Sequence, residues 1–301
     1  MIRTTTRRAR WLLAAAALLL VAAVVVVVVV TRGDDRPGGP AASPTSTSAI
    51  PTSAPPSSAP SSTAPSSTAP SSTAPSSTSA PASTVPPAAP AGLLGADVET
   101  IPTDQPVVAL TFDAGASSAG LPSILATLAE QDVEATFFLT GDWAAANPDG
   151  GAAIQAGGHR VGNHSMTHPH LPALDDAALR DEVLGAQEAI RAAGADPRPL
   201  FRFPFGDRDD RTIGEVNDLG YVAVRWTVDT LGWQGTAGGR SAQSVADRVL
   251  AALRPGEIVL MHVGSNPDDG TTFDADALPQ MIDRIRAAGY GFVTLDALLG
   301  S

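Results

Sequence analysis

Residues 37–92 are almost wholly proline, alanine, serine and threonine, with a STAPS unit repeated from 62 to 76. Hardly a side chain there is large enough to pack, so this stretch cannot bury the apolar surface that would offset the entropy of ordering it. Any fold must therefore be built from residues 93–301. Proline at this density favours extended polyproline geometry, which makes the tract a semi-rigid spacer with an upper reach of about 170 Å at ~3.1 Å per residue.

What precedes the spacer reads as a membrane anchor. Residues 1–10 carry four Arg and no acid, and residues 12–30 are 19 consecutive apolar side chains. That length spans a bilayer core. A cleavable signal has a shorter apolar stretch and a small-residue site, whereas this one runs straight into Thr31-Arg32-Gly33-Asp34, which predicts an uncleaved anchor. The arginine excess before the span places the N-terminus in the cytoplasm and everything after Val30 outside. The expected organisation is a cytoplasmic basic tip and transmembrane signal anchor (1–31), a disordered linker (32–92) and an extracellular folded domain (93–301) on a single-pass protein of the cell membrane.

Composition removes several chemistries. There is no cysteine, and all 19 basic residues are Arg, so disulfides, thiolate ligands, thiol nucleophiles, Schiff bases and a P-loop lysine are excluded. Residues 37–301 hold 13 Arg against 29 acids, a balance that argues against nucleic acid as a partner. No feature of the sequence points to an obligate protein partner.

Within 93–301, short apolar runs alternate with stretches of helical spacing. Strands are expected at 107–112, 135–141, 159–164, 200–204, 221–228, 257–263 and 291–298, and helices at 121–131, 175–193, 241–253 and 275–288. Seven alternations predict parallel strands joined by crossover helices, as a barrel or an open doubly wound sheet. Asp113, His164, Arg202, Asp229 and His262 all fall at C-terminal strand ends, the face on which such folds assemble a site. His164 and His168, four apart, converge on one point if the residues between them make a helical turn, as two metal ligands would. His159 begins its strand at the opposite end and reads as structural. His170 is left open.

TFDAG at 111–115, HSMTH at 164–168, RFPFG at 202–206, DTLGW at 229–233 and LMH at 260–262 resemble, in order and spacing, the five motifs of the NodB-type polysaccharide deacetylases, the fourth carbohydrate esterase family. The resemblance covers residues 105–298. It implies a distorted parallel (β/α) barrel of about seven strands that removes acetyl groups from N-acetylated glycans, or O-acetyl groups from xylan, with one divalent metal, commonly zinc. By that resemblance His164 and His168 are metal ligands, with Asp113 a further candidate. Asp113 is the general base, Arg202 positions it, Asp229 orients His262, and His262 protonates the leaving amine. Trp233 and Leu260 wall the acetyl methyl, and Pro204 and Phe205 contact substrate.

Two departures stand out. The first motif usually carries two adjacent aspartates, base and ligand, and here the second is Ala114. Asp113 itself, water, or a loop carboxylate from Asp207, Asp209, Asp210, Asp268 or Asp269 could complete a metal site. The fourth motif often carries another acid where this chain has Gly232. The leading expectation is a deacetylase acting on a cell-envelope glycan such as peptidoglycan or another N-acetylglucosamine polymer. The alternatives are a catalytically silent glycan-binding module and an O-acetyl (xylan-type) esterase. Simpler readings apply elsewhere: Trp226 as core, Trp143 as core or sugar platform, residues 268–276 as a solvated acidic loop, and Gly150-Gly151 and Gly238-Gly239 as turns.

Overall fold

The alternation of side chains along one strand, Val107–Ala114, decides the architecture. Val108, Leu110, Phe112 and Ala114 face one way, into a core shared with the helices, while Ala109 faces the other way among Phe138, Leu200, Val222, Val224 and Ile258. A strand buried on both faces belongs in the middle of a parallel sheet covered by helices. The computed structural model describes residues 90–300. The expected anchor, and the linker apart from its last three residues, lie outside the described residues, and the described chain opens with a 3₁₀ turn at Ala91–Leu93. Among the described residues no helix is long and apolar enough to cross a membrane.

The chain runs β1 (Asp97–Val98), β2 (Val107–Ala114), α1 (Leu121–Glu130), β3 (Thr136–Leu139), α2 (Gly141–Ala146), α3 (Pro148–Ala156), β4 (Arg160–Asn163) and α4 (Asp176–Ala192). It continues through β5 (Leu200–Phe201), α5 (Asp210–Asp218), β6 (Val222–Val224), β7 (Val228–Asp229), α6 (Ala242–Ala252), β8 (Glu257–His262), α7 (Phe273–Ala287) and β9 (Gly291–Phe292). The strands pair in the order β1-β6-β5-β4-β3-β2-β8-β7, with β9 added to β2, and every ladder between them is parallel. The result is a curled, half-barrel parallel sheet, consistent with the distorted (β/α) barrel expected; β1 and the division of the 221–228 strand into β6 and β7 raise the count above the seven or so anticipated.

The opening has a local cause. The single strand expected at 221–228 is two, because Arg225 N donates to Val98 O at 2.7 Å while Thr227 N donates to Ile258 O at 2.8 Å. Within three residues the chain leaves the β1 side and joins β8, so β6 and β7 never pair. Trp226 sits at this crossing and is half-buried instead of lying within a strand.

One further expectation is corrected. Gly150 and Gly151 lie inside α3, not in a turn; a Cβ at Gly150 would stand 3.1 Å from both Leu121 and Trp143, so the small residue admits close helix packing. Asp207 and Asp209 lie in the loop after β5, as expected, while Asp210 opens α5, which Asp209 caps through a reciprocal capping box with Thr212. Trp143 is buried core, 2% exposed, and is no sugar platform. His159 is buried beside Phe137, as a structural histidine should be.

Inside the curl the inner-facing row changes character along the strands. At the N-terminal end it is apolar (Ala109, Ile258, Leu200); two residues further on come Thr111, Leu260 and Arg202, and then Asp113 and His262, which are register partners on adjacent strands. Each strand thus delivers its polar residue to the same end by the two-residue period alone.

At the opposite end Glu257 opens β8, fully buried, with Oε2 accepting from Arg254 N at 3.2 Å and Oε1 without a partner. Burial pushes its carboxyl from an ordinary 4.5 up to about 7. Between those values the folded chain holds a proton that the unfolded chain has released, so stability falls as pH rises through this window. Glu257→Gln should abolish that component. Urea unfolding of residues 90–300 should give the variant a smaller drop in stability between pH 5 and pH 8 than the parent.

Candidate active site

Arg202 is the buried centre of the polar end. Its guanidinium is fully covered, lies 4.1 Å above the ring of Phe138, and donates to Asp113 Oδ1 (2.8 Å), Thr111 Oγ1 (2.9 Å) and Arg225 O (2.9 Å). Gly162 is what lets Phe138 lie there, since a Cβ at 162 would stand 2.6 Å from its ring. Burial alone would raise the Asp113 carboxyl, but the charge of Arg202, joined by that of His262, outweighs it and holds Asp113 below its ordinary value. Asp113 is therefore an ionised carboxylate with one oxygen committed to Arg202. The other, Oδ2, lies 3.4 Å from His164 Nε2.

His164 and His168 do come together, with ring centroids 4.8 Å apart, but not through the helical turn that their spacing suggests. Ser165 and His168 adopt left-handed φ (66° and 63°), and the loop is pinned by side chains. Glu182 of α4 accepts from Met166 N, Thr167 N and Thr167 Oγ1 at 2.7–2.9 Å; Asn163 Oδ1 accepts from Ser165 N, and Ser165 Oγ from His168 N. His164 Nδ1 lies 2.8 Å from the Arg202 carbonyl, which only accepts, so Nδ1 carries the proton and Nε2 turns its lone pair toward Asp113. Burial lowers both histidines, His168 to about 4, so both rings are neutral at physiological pH.

Two neutral imidazoles are donors that a divalent metal needs, but catalytic zinc sites use three protein ligands. Among the described residues no three His, Asp or Glu side chains are grouped to hold a metal ion. Ala114 packs into the helix-side core, and several loop carboxylates are committed elsewhere: Asp207 to His170 (2.9 Å), Asp209 to the α5 cap, Asp269 to Thr236 and Thr271. The donor set falls short of a three-ligand site, leaving Asp113 Oδ2 or water to complete one. No step below is routed through a metal.

Across the cleft stands His262. Burial alone would lower its ring, but Asp274, then Asp113 and Asp229, outweigh that and raise it above its ordinary value. The carboxylate against its Nδ1 is Asp274 Oδ2, at 3.5 Å, and not the expected Asp229. Asp229 instead accepts from Leu231 N (2.8 Å) and, at a long 3.5 Å, from the Trp233 indole, and burial raises its carboxyl. What Asp229 holds is the turn that carries Trp233. Asp274 was hidden in the sequence inside an apparently solvated acidic stretch. Helix α7 begins at Phe273, two residues earlier than its periodicity indicated, and so carries Asp274 inward.

These groups line one cleft of about 610 Å³: Asp113, His164, His168, Asp229 and His262, with Phe205, Trp226, Trp233 and Leu260 among its apolar walls. Trp226, read as core, is thus also a wall. Pro204 is buried in the turn Pro204–Gly206 and does not line the cleft; Phe205, at φ 59° and 60% exposed, stands there instead, edge-on to His168 and stacked on His170.

The polysaccharide deacetylase family profile matches residues 100–224. A chitooligosaccharide deacetylase of Sinorhizobium fredii is 37% identical over 190 residues, 62% of this chain and 86% of its own length. Among solved structures, a peptidoglycan N-acetylglucosamine deacetylase superposes with a TM-score of 0.62 at 30% identity, covering 67% of this chain and 91% of that one. A pseudoenzyme of the fourth carbohydrate esterase family from Bacillus anthracis superposes with a TM-score of 0.59 at 32% identity, covering 65% of this chain and 66% of that one. The chain belongs to the polysaccharide deacetylase family, hydrolases that act on N-acetyl amide bonds.

Removing one member of the buried Arg202–Asp113 pair leaves the other charge uncompensated. Arg202→Met should cost about 3–5 kcal/mol in chemical denaturation at pH 7. The double variant Arg202→Met/Asp113→Asn should recover part of that loss, a non-additivity that a double-mutant cycle measures.

Proposed function

We propose that this protein removes N-acetyl groups from a cell-envelope glycan, peptidoglycan or another N-acetylglucosamine polymer. The observation that carries the reading is that an ionised carboxylate, Asp113, and a histidine with a raised pKa, His262, stand on adjacent strands at the same register and open into one cleft. Opposed shifts of this kind separate a base from an acid. Asp113 Oδ2, its partner oxygen held by Arg202, takes a proton from the attacking water as oxygen adds to the acetyl carbonyl. When the C–N bond breaks, His262 gives its proton to the departing sugar amine, leaving acetate and a free amino group. Leu260 and Trp233 form the apolar wall against which a methyl group packs, and Phe205 offers the rim an exposed aromatic face suited to a sugar ring.

Divalent-metal dependence, with zinc first among the candidates, is the finer part of the proposal and rests on the neutral imidazoles of His164 and His168. Cell-membrane placement is supported by the 19 apolar residues at 12–30 and the four Arg before them, and the linker would carry the domain out to a wall polymer. A second reading, a silent glycan-binding module, is favoured by Ala114 and by the likeness to a pseudoenzyme. An O-acetyl esterase would use the same cleft on an easier leaving group.

Acetate release from N-acetylglucosamine oligomers, peptidoglycan and acetylated xylan separates these. We expect release from the amide substrates, lost on chelation and restored by zinc, with Asp113→Asn and His262→Ala each lowering kcat about 10²–10⁴-fold. No release from any substrate, with no zinc bound by direct metal analysis, would overturn the deacetylase reading in favour of the binding module. Release from xylan alone would establish the esterase.

A further inference from the structure

His262 Nδ1 is buried and makes no hydrogen bond of good geometry; the acceptor it points toward is Asp274 Oδ2, 3.5 Å away. Asp274 is 3% exposed, yet it is held firmly: Oδ2 accepts from His262 N at 2.8 Å and Oδ1 from Thr230 Oγ1 at 2.6 Å. Its carboxylate accepts from the backbone of the same histidine whose ring nitrogen it faces. The space it occupies belongs to another residue. A Cβ built on Gly232 would stand 2.4 Å from Asp274 Oδ1 and 2.7 Å from its Cγ, so no side chain at 232 can coexist with the carboxylate of 274 in this position. Gly232 is not among the glycines with positive φ, so its backbone would admit any residue. The glycine is required by the space and not by the turn.

We infer that Gly232 and Asp274 form one unit: the glycine opens a slot beside His262 into which the first turn of α7 inserts the carboxylate that orients the imidazole. Asp274 is a positioning residue, touching the acid and not the substrate. Residue 232 is the backbone position from which a second carboxylate would enter the same space, so the arrangement is exchangeable. A carboxylate delivered from 232 should serve once the one at 274 is shortened. A long apo contact of this kind tightens when the ring is protonated or substrate closes the cleft.

The inference rests on the acid role of His262 proposed above, and the test separates the two. In the full chain, Asp274→Ala and the near-isosteric Asp274→Asn should each lower kcat about 10²-fold while KM stays within about twofold. Gly232→Asp alone, which sets two carboxylates against each other, should lose both melting temperature and activity. The double variant Asp274→Ala/Gly232→Asp should regain about tenfold over Asp274→Ala. Independently of turnover, nitrogen-15 NMR of the His262 ring should show a proton on Nδ1 in the parent and a changed Nδ1 signal in Asp274→Asn. If the parent releases no acetate, the deacetylase reading fails and the ring spectrum alone decides: an unchanged spectrum overturns the inference and a changed one upholds it. If the parent is active and folded Asp274→Ala keeps more than half its kcat, or the folded double variant regains nothing, the inference is overturned while the deacetylase reading stands.

Discussion

The fully buried guanidinium of Arg202 is the interaction on which the site depends. A cation so placed must have its donors met and its charge balanced, and three strands contribute: Thr111 and Asp113 from β2, the ring of Phe138 from β3, and backbone carbonyls at the end of β6, while Arg202 itself follows β5. Each partner lies where the curl of the sheet brings it. The same contacts hold Asp113 ionised and leave one of its oxygens free, so the architecture and the chemistry share one group. The Arg202 carbonyl sets the His164 tautomer as well, tying the second face of the cleft to the same strand end.

Around this centre the protein solves two problems of burial differently. On the His164 side it uses neutral rings: desolvation keeps both imidazoles uncharged, and the loop bearing them is held by Glu182 and Asn163, which the chemistry does not otherwise use. On the His262 side it uses a carboxylate inserted from a helix. The two sides thus present to one cleft a pair of neutral imidazoles and a third imidazole whose pKa is raised.

Much of the fold was legible because the periodicities that build it are local. The strands at 107–112 and 257–263 and the helices at 121–131 and 241–253 declare themselves by spacing, and the two-residue period places Asp113 and His262 on the inner face without further information. The strand at 221–228 misled because its apolar run is unbroken; only competition between β1 and β8 for its backbone donors splits it. Helix α3 was missed because two glycines weaken the pattern, and what compensates is packing against Leu121 and Trp143, which no local window contains.

The sequence by itself determined the strand parity and the set of polar residues arriving at one end of the sheet, because these follow from repeats of two and 3.6 residues read along the chain. Only the tertiary structure decided which carboxylate meets His262, that Gly232 makes room for it, that Asp229 serves Trp233, and that the histidine pair falls short of a complete metal cage. Those outcomes depend on how α7 and the loops after the strands pack in space, where separations of 2–4 Å between residues tens of positions apart are set by register and crossover geometry and leave no trace in local spacing.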